Sequence, residues 1–268
     1  MRRILTSFAY AFILCFWLGT AAAFIKWLAE GRHDLMINLF MFALNVFCWS
    51  FSLLLAVRLA AAVYTRSVYV SFRKAIAKDG VTLSLLGDIK RWSERPGDAA
   101  ERADRELLLA EVLSDGCLYR QAFSTLSRID LPVLSEEAKE EYYNVYVYTN
   151  LMMGDVEAAE TIYNAAGRYF DRARLRRRPM PVLHTLGVLS YAKGDLIQAE
   201  NYLKQALSCS SSKQARCDCN IYLSLCYLKA GRPDLAVDLA AEAAGQAQTV
   251  RQKHELIELK RRILKICT

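Results

Sequence analysis

The residues with the clearest capacity for chemistry are four cysteines within eighteen positions of the C-terminal half. Their thiolates could hold a zinc ion, whose structural sites commonly combine cysteine and histidine ligands. Zinc-binding pairs usually enclose two to four residues, but the central pair here encloses one, and the three histidines are scattered. The spacing favours small buried side chains, so we predict neither a metal site nor a cofactor. The cysteines are Cys209, Cys217, Cys219 and Cys226.

Groups that could perform catalysis are equally sparse. The chain contains no serine nucleophile elbow, no phosphate-binding loop, no His-Glu-x-x-His pair and no dinucleotide-binding glycine pattern. Its adjacent carboxylates, Glu136-Glu137 and Glu140-Glu141, begin a predicted helix, where the helix dipole favours negative charge. We therefore predict that the protein is not an enzyme and has no catalytic residues.

The composition favours an all-α fold. Five prolines and twelve glycines in 268 residues are too few for a β fold with many turns. Residues 1–64 are almost free of charge, whereas the remainder is rich in alanine, leucine and charged residues. The net charge of +7 suits attraction to anionic lipid headgroups. It gives little support for nucleic-acid binding, which we do not expect.

Two uncharged segments occupy the N-terminal region. Residues 4–25 and 35–57 lack Lys, Arg, Asp, Glu and His over 22 and 23 positions. Each is long enough to cross the ~30 Å hydrocarbon layer as a helix. We therefore predict a transmembrane hairpin over 1–64 and a basic juxtamembrane helical linker over 65–101, part of which lies along the membrane surface. An ordinary solvated linker helix is the alternative for that segment.

Basic residues flank the hairpin unequally. Two precede the first segment, two lie in the connector, and five follow the second segment within twenty-one residues. Since a hairpin places both ends on one side, the positive-inside rule puts the termini and the repeat domain in the cytoplasm, with two spans in the plasma (inner) membrane. Alternatively, Arg2-Arg3, the first apolar run and Ala21-Ala22-Ala23 form a cleavable signal peptide.

Internal similarity is the most specific pattern in the sequence. Several segments align on a glycine, with small residues at fixed positions before and after it. The aligned glycines Gly116, Gly154, Gly194 and Gly231 lie 38, 40 and 37 residues apart. The signature residues of the alignment are Gly154, Asp155, Ala159, Leu186, Gly187, Gly194, Asp195, Ala199, Ala206, Gly231 and Ala236.

These residues resemble the tetratricopeptide-repeat (TPR) family, whose 34-residue unit is a pair of antiparallel helices. The resemblance implies a solenoid of helix pairs in which small residues let the two helices pack closely. It also implies that each glycine ends the first helix and that Asp155 and Asp195 cap the second. The fold expected from the whole chain is a two-span hairpin followed by this solenoid.

The limits of the repeat region follow from the same alignment. Three to four repeats are expected over 102–246, with lengthened connections because the spacing exceeds 34 residues. A capping helix is expected over 247–268. Its predicted inward residues are Leu256, Ile257, Ile263 and Leu264.

The family resemblance also implies a groove for a protein or peptide partner along the first helices of the repeats. Its predicted lining is Asn144, Tyr148, Met152, His184, Val188, Tyr191, Ile221, Leu225, Leu228 and Lys229. The family's clamp for chaperone C-termini needs Lys and Asn at positions where this sequence departs from it, so that ligand class is not expected. An aromatic and aliphatic groove fits an amphipathic helix or extended segment better. Alternatively, these side chains bury one another or the terminal helix.

A dense basic run lies between two predicted repeats. Arg172, Arg174 and residues 176–178 could dock an acidic partner or lipid, or form a solvated loop. Together these features predict a membrane-anchored scaffold or adaptor that binds a protein at the cytoplasmic membrane face and contacts lipid through its hairpin and basic linker. The alternative is an accessory subunit that packs against an integral-membrane complex through the hairpin.

Overall fold

The computed structural model of the chain describes Ala21, residues 35–176 and residues 179–267. The regular structure among these residues is helical throughout, which confirms the predicted all-α class. The chain divides into two compact units, one ending at Ser71 and the other comprising Phe72–Thr268.

One long helix, α1 (Leu35–Asp79), makes up nearly all of the described part of the first unit. The last eight residues of α1 belong to the second unit. The predicted span over 4–25 lies outside the described residues except for Ala21, and the predicted span over 35–57 falls within α1. Among the helices of the described part, none combines the length and apolar character required to cross a membrane.

The second unit is a succession of helices joined by short connections. Its helices are α2 (Leu83–Ser93), α3 (Ala99–Asp115), α4 (Tyr119–Leu126), α5 (Glu136–Met153), α6 (Val156–Ala165), α7 (Gly167–Arg174), α8 (Met180–Lys193), α9 (Leu196–Ser208), α10 (Lys213–Lys229), α11 (Pro233–Gln246) and α12 (Val250–Cys267). Four pairs pack side by side, namely α3 with α4, α5 with α6, α8 with α9 and α10 with α11. This arrangement is the helix-pair solenoid of a TPR-like region.

Three of the turns inside these pairs depend on glycine. Gly154, Gly194 and Gly231 have φ values of 85°, 86° and 70°, in the left-handed region that residues with a Cβ avoid. After two of these glycines, the carboxylates of Asp155 and Asp195 accept the backbone N–H of the residue three positions on, at 2.9 and 3.0 Å. Each carboxylate satisfies one of the free N–H groups at the start of the second helix.

The first pair departs from this pattern. Gly116 has an ordinary φ of −82°, and the following residue, Cys117, adopts the left-handed conformation at φ 62°. The glycine that aligns with the other turns is therefore not the residue that reverses the chain here. The turn conformation has shifted by one position.

The connections between pairs account for the residues beyond a 34-residue unit. A short 3-10 helix, Leu131–Val133, lies between the first two pairs. The eight-residue helix α7 lies between the second and third pairs, and its Tyr169 and Phe170 are buried in the main hydrophobic core. The additional residues between these pairs therefore form short helices, and those of α7 pack into the core of the solenoid.

Helices α8 and α9 approach each other closely at Gly187. A Cβ placed on Gly187 would lie 2.5 Å from Leu203 Cγ, a separation that real side chains do not adopt. Leu203 is fully buried, with Ala199 and Ala206 buried beside it on the same helix. Ala159 and Ala236 are equally buried in their own pairs. Small side chains at these positions allow the helices to approach until large aliphatic groups interlock.

The C-terminal helix α12 packs on α10 and α11, and the inward face predicted for this segment is partly wrong. Leu256 and Leu259 are buried, whereas Ile257 and Leu264 are 51% and 64% exposed. The inward stripe passes through Gln252, Leu256, Leu259 and Ile263, which are three or four positions apart. Ile257 and Leu264 lie off this stripe because each residue turns the helix by about 100°.

Candidate functional site

The first helices of the four pairs line a single cavity of about 360 Å³. The end of α1 and the start of α12 contribute the remaining side chains, so the lining comes from six helices of the second unit. Its charged and polar members are Arg73, Glu111, Ser114, Asp115, Asn144, Tyr148, His184, Thr185, Ser212, Gln214, Asp218 and Arg251. Most of the lining residues are therefore charged or polar, unlike those of the apolar seams between paired helices.

The end of α1 is held on this face by charge and by an aromatic contact. The guanidinium of Arg73 forms ion pairs with Glu111 on α3 and Glu141 on α5. One residue earlier, the ring of Phe72 packs edge-on against Trp92, with centroids 5.5 Å apart. One arginine thus bridges the first helices of two successive pairs.

A second arginine contributes from the opposite end of the sequence. Arg251 is 4% exposed, and its Nη2 lies 2.9 Å from Asp218 Oδ1. Its Nη1 donates to the hydroxyl of Tyr148 at 3.1 Å and contacts Glu255 at 3.2 Å. The neighbouring Gln252 also donates to Asp218 at 2.9 Å. These bonds join the start of α12 to α5 and α10.

Burial controls the protonation of several cavity groups. It raises the pKa of Glu111 well above its usual range, although nearby Arg73 opposes the shift. It also raises the pKa of Asp115, which Arg251 opposes from a distance. The imidazole of His184 is held neutral because burial lowers its pKa to about 4. The cavity therefore disfavours additional uncompensated charge of either sign.

The predicted groove residues divide into two sets. Asn144, Tyr148 and His184 line the cavity. Val188, Ile221 and Leu228 are buried in the main hydrophobic core, against which Met152, Tyr191 and Leu225 pack half-buried. Lys229 is exposed, with its ammonium 5.2 Å from the centroid of the Tyr191 ring. Their part in binding a partner stays a prediction.

Several of these predicted positions contact one another through aromatic rings. His184 lies between Tyr148 and Tyr222, with ring centroids 5.9 and 5.4 Å away. Tyr222 in turn faces Tyr191 at 6.2 Å, and its hydroxyl lies 3.5 Å from Met152 Sδ. The aromatic series therefore runs across three first helices inside the protein.

Most of the charged residues that define the cavity were not predicted from the sequence. Arg73 lies in the predicted linker, and Arg251 lies in the predicted capping helix. Asp218 could have been recognised, because it lies between Cys217 and Cys219, both of which are buried. A lone charge in such a stretch indicates a buried partner.

The basic run before α8 is engaged within the protein. Arg172 and Arg176 both pair with Glu140 near the start of α5, at 2.5 and 2.7 Å. Arg174 pairs with Asp171 on its own helix. Residues 177 and 178 lie outside the described residues. Arg172 and Arg176 therefore connect α7 and the segment after it to α5.

The cysteine cluster is divided by burial. Cys217, Cys219 and Cys226 are buried, whereas Cys209 is exposed. Burial raises the pKa of each buried thiol to about 12, which disfavours the thiolate form that binds metals. Within the described residues, no group of three or more His, Cys, Asp or Glu side chains is placed to hold a metal ion.

The paired helices, the glycine turns and the small-residue seams define a protein of the tetratricopeptide-repeat class. The family model described as the SusR N-terminal TPR domain matches residues 83–246. The chain belongs to that family. The match begins at the first residue of α2, inside the segment predicted as a linker, and ends at the last residue of α11. No curated protein and no solved structure matches the chain.

Proposed function

We propose that the protein is a membrane-anchored scaffold that binds a protein partner through its TPR domain. The observation that carries the proposal is the family match over residues 83–246, since stacked helix pairs present an extended surface for other proteins. The site described above contains no recognisable catalytic set, and we propose a binding role and no enzymatic one.

The accessible part of the predicted groove is the best candidate for the surface that binds the partner. Tyr191 and Leu225 are half-buried, and Lys229 is exposed beside them at the C-terminal ends of α8 and α10. An apolar surface edged by a lysine suits an amphipathic segment that carries acidic residues on its polar face. Nucleic acid is not proposed as a partner.

Support for the membrane anchor comes from the sequence. The uncharged runs over 4–25 and 35–57 have the length of membrane spans, and the excess of basic residues on their outer flanks favours a cytoplasmic TPR domain. We propose the plasma (inner) membrane as the location. The hairpin and the basic segment after it would contact lipid.

Proximity labelling with the full-length protein in its native membrane tests partner binding. The variants Tyr191→Ala and Lys229→Glu should reduce labelling of the specific partner, whereas the exposed control Asp238→Asn should not. Labelling that is equal in all four proteins would contradict the predicted groove. Extraction of the membrane fraction with alkaline carbonate tests the anchor, because an integral protein stays in the pellet.

A second function is favoured by one feature of the first uncharged run. Gly19 and Ala23 are four residues apart and would share a helix face on which another membrane helix can approach closely. On this basis the protein could be an accessory subunit of an integral-membrane complex. Full-length protein with Gly19→Leu would then lose its partner, while Tyr191→Ala would retain it.

A further inference from the structure

The cavity among the first helices contains a carboxylate with no direct partner. Asp115 is the last residue of α3 and lines the cavity. Within the described part of the chain, its side chain forms no hydrogen bond or salt bridge, and its interactions with Arg251, Arg73 and Asp218 act only over distance. Asp115 is half-buried, and its carboxylate retains the capacity to accept hydrogen bonds from a ligand in the cavity.

The charges around Asp115 are unbalanced. Two guanidinium groups reach the cavity, and each contacts two carboxylates. Two of those carboxylates, Glu111 and Asp218, line the cavity, and with Asp115 three carboxyl groups face the two guanidinium groups there. The carboxylates that contact the two arginines are Glu111, Glu141, Asp218 and Glu255. A cation in the cavity would reduce this imbalance.

Unused hydrogen-bonding capacity lies in the same lining. Buried polar atoms without a partner include Glu111 Oε2, Asn144 Oδ1, His184 Nε2 and Arg251 Nε. Asn144 Oδ1 is an acceptor, the Glu111 oxygen accepts when its carboxyl is ionised, and the neutral imidazole of His184, which is only 7% exposed, can also accept. Arg251 Nε is the one obligatory donor of the four. A ligand with several donors on one charged group matches this set.

We propose that the cavity binds the ammonium group of an alkylamine, with the Asp115 carboxylate as its anionic partner. A primary ammonium carries three N–H donors and one positive charge in a compact group. A volume of about 360 Å³ accommodates that group and a short alkyl chain. A metal ion is disfavoured, because no group of metal-binding side chains occurs among the described residues. The proposal does not rest on partner binding by the TPR surface.

The ammonium group could come from a free amine or from a lysine side chain. Isothermal titration of the purified full-length protein with 1,5-diaminopentane and with Nα-acetyl-lysine methylamide distinguishes these sources. 1-Pentanol, which has the alkyl chain without the charge, is the control ligand. Saturable binding of either amine and none of pentanol supports the proposal, and the tighter amine identifies the source.

The variant Asp115→Asn keeps the shape of the side chain and removes its charge. It should weaken amine binding by roughly ten- to a hundred-fold, the loss expected for a hydrogen bond to a charged group. The matched control is Asp238→Asn, the same change at an exposed position on α11, which should bind as the wild type does. The thermal midpoint of Asp115→Asn should not fall, because the variant removes an uncompensated carboxylate.

Two results would overturn the proposal. One is the absence of saturable binding of both amines to the wild type at millimolar concentrations, which requires no variant. The other is equal affinity in Asp115→Asn and the wild type. If the protein bound no amine but still labelled its partner in the membrane, the proposed function would stand and the amine site would not.

Discussion

Two regions of the TPR domain share helices but differ in what holds them together. On α8, Gly187 lies against Leu203 in an apolar seam that leaves no space for a Cβ. Three residues earlier on the same helix, His184 lines a cavity of buried charges and unpaired polar atoms. The seam is stabilised by close packing, whereas the cavity depends on the exact pairing of charges. The two regions therefore stabilise the same helices by different physical means.

The largest expected effect is the removal of Arg251. Arg251→Met should lower the free energy of unfolding by about 3–5 kcal/mol, because it leaves Asp218 buried without its cation. Urea unfolding of the full-length protein measures the change. The double variant Arg251→Met/Asp218→Asn should recover part of the loss, since the second change removes the stranded charge. A loss below about 1 kcal/mol would mean that water already compensates Asp218.

The apolar seam should respond nearly as strongly, but through volume and not charge. Leu203→Ala should cost about 2–5 kcal/mol, because Leu203 is fully buried and the shortened side chain leaves a cavity. Ile197→Ala on the same helix is the matched control. Ile197 is 79% exposed, so its truncation should change stability by no more than about 0.5 kcal/mol. Equal effects of the two changes would contradict the packing described for α9.

The sequence predicted the seam far better than the cavity. Gly187, Ala199 and Gly194 are recognisable because close packing and tight turns demand particular residue types at fixed local spacing. The bridge from Arg251 to Asp218 spans 33 residues, and that from Arg73 to Glu141 spans 68. Any exposed arginine or glutamate could in principle have formed those pairs, so composition and spacing do not identify them.

The capping helix illustrates an intermediate case. Its helical state and its position at the end of the repeats follow from the pattern of apolar residues. The same pattern does not predict which face of the helix points inward, because Ile257 and Leu264 form a second apolar row beside Leu256 and Ile263. The buried Gln252 decides between the two rows, since it accepts from two backbone amides and donates to Asp218. A polar residue therefore fixes the orientation of an apolar stripe.

The pH dependence of stability should distinguish the cavity from the seam. His184 has a pKa of about 4 in the folded protein, against about 6.5 when unfolded. Between these values the unfolded chain binds the proton and the folded one does not, so this contribution to stability falls as the pH is lowered. The loss should reach roughly 3 kcal/mol at pH 4.

The variant His184→Gln isolates this effect. The raised pKa of Glu111 acts in the opposite sense, because the folded state then binds the proton more readily than the unfolded state. Glu111 is present in both proteins, so its contribution largely cancels in the difference between them. The stability of the wild type relative to His184→Gln should decline between pH 6.5 and pH 4. A constant difference would mean that the imidazole is accessible to protons in the folded protein.

Leu203→Ala, used as a seam control, should differ from the wild type by the same amount at each pH.

The smallest effect tests whether the seam is as tight as its geometry indicates. Gly187→Ala should cost about 1–3 kcal/mol because its Cβ meets Leu203, despite the better helix propensity of alanine. In the Leu203→Ala background the same change should be neutral or stabilising, since the obstructing side chain is gone and only the propensity gain remains. Equal costs in both backgrounds would show that the two residues are not coupled. The cavity should be unaffected in either case, so Gly187→Ala should bind the amine with the affinity of the wild type. A change that lowers stability without altering amine affinity would distinguish the seam from the cavity.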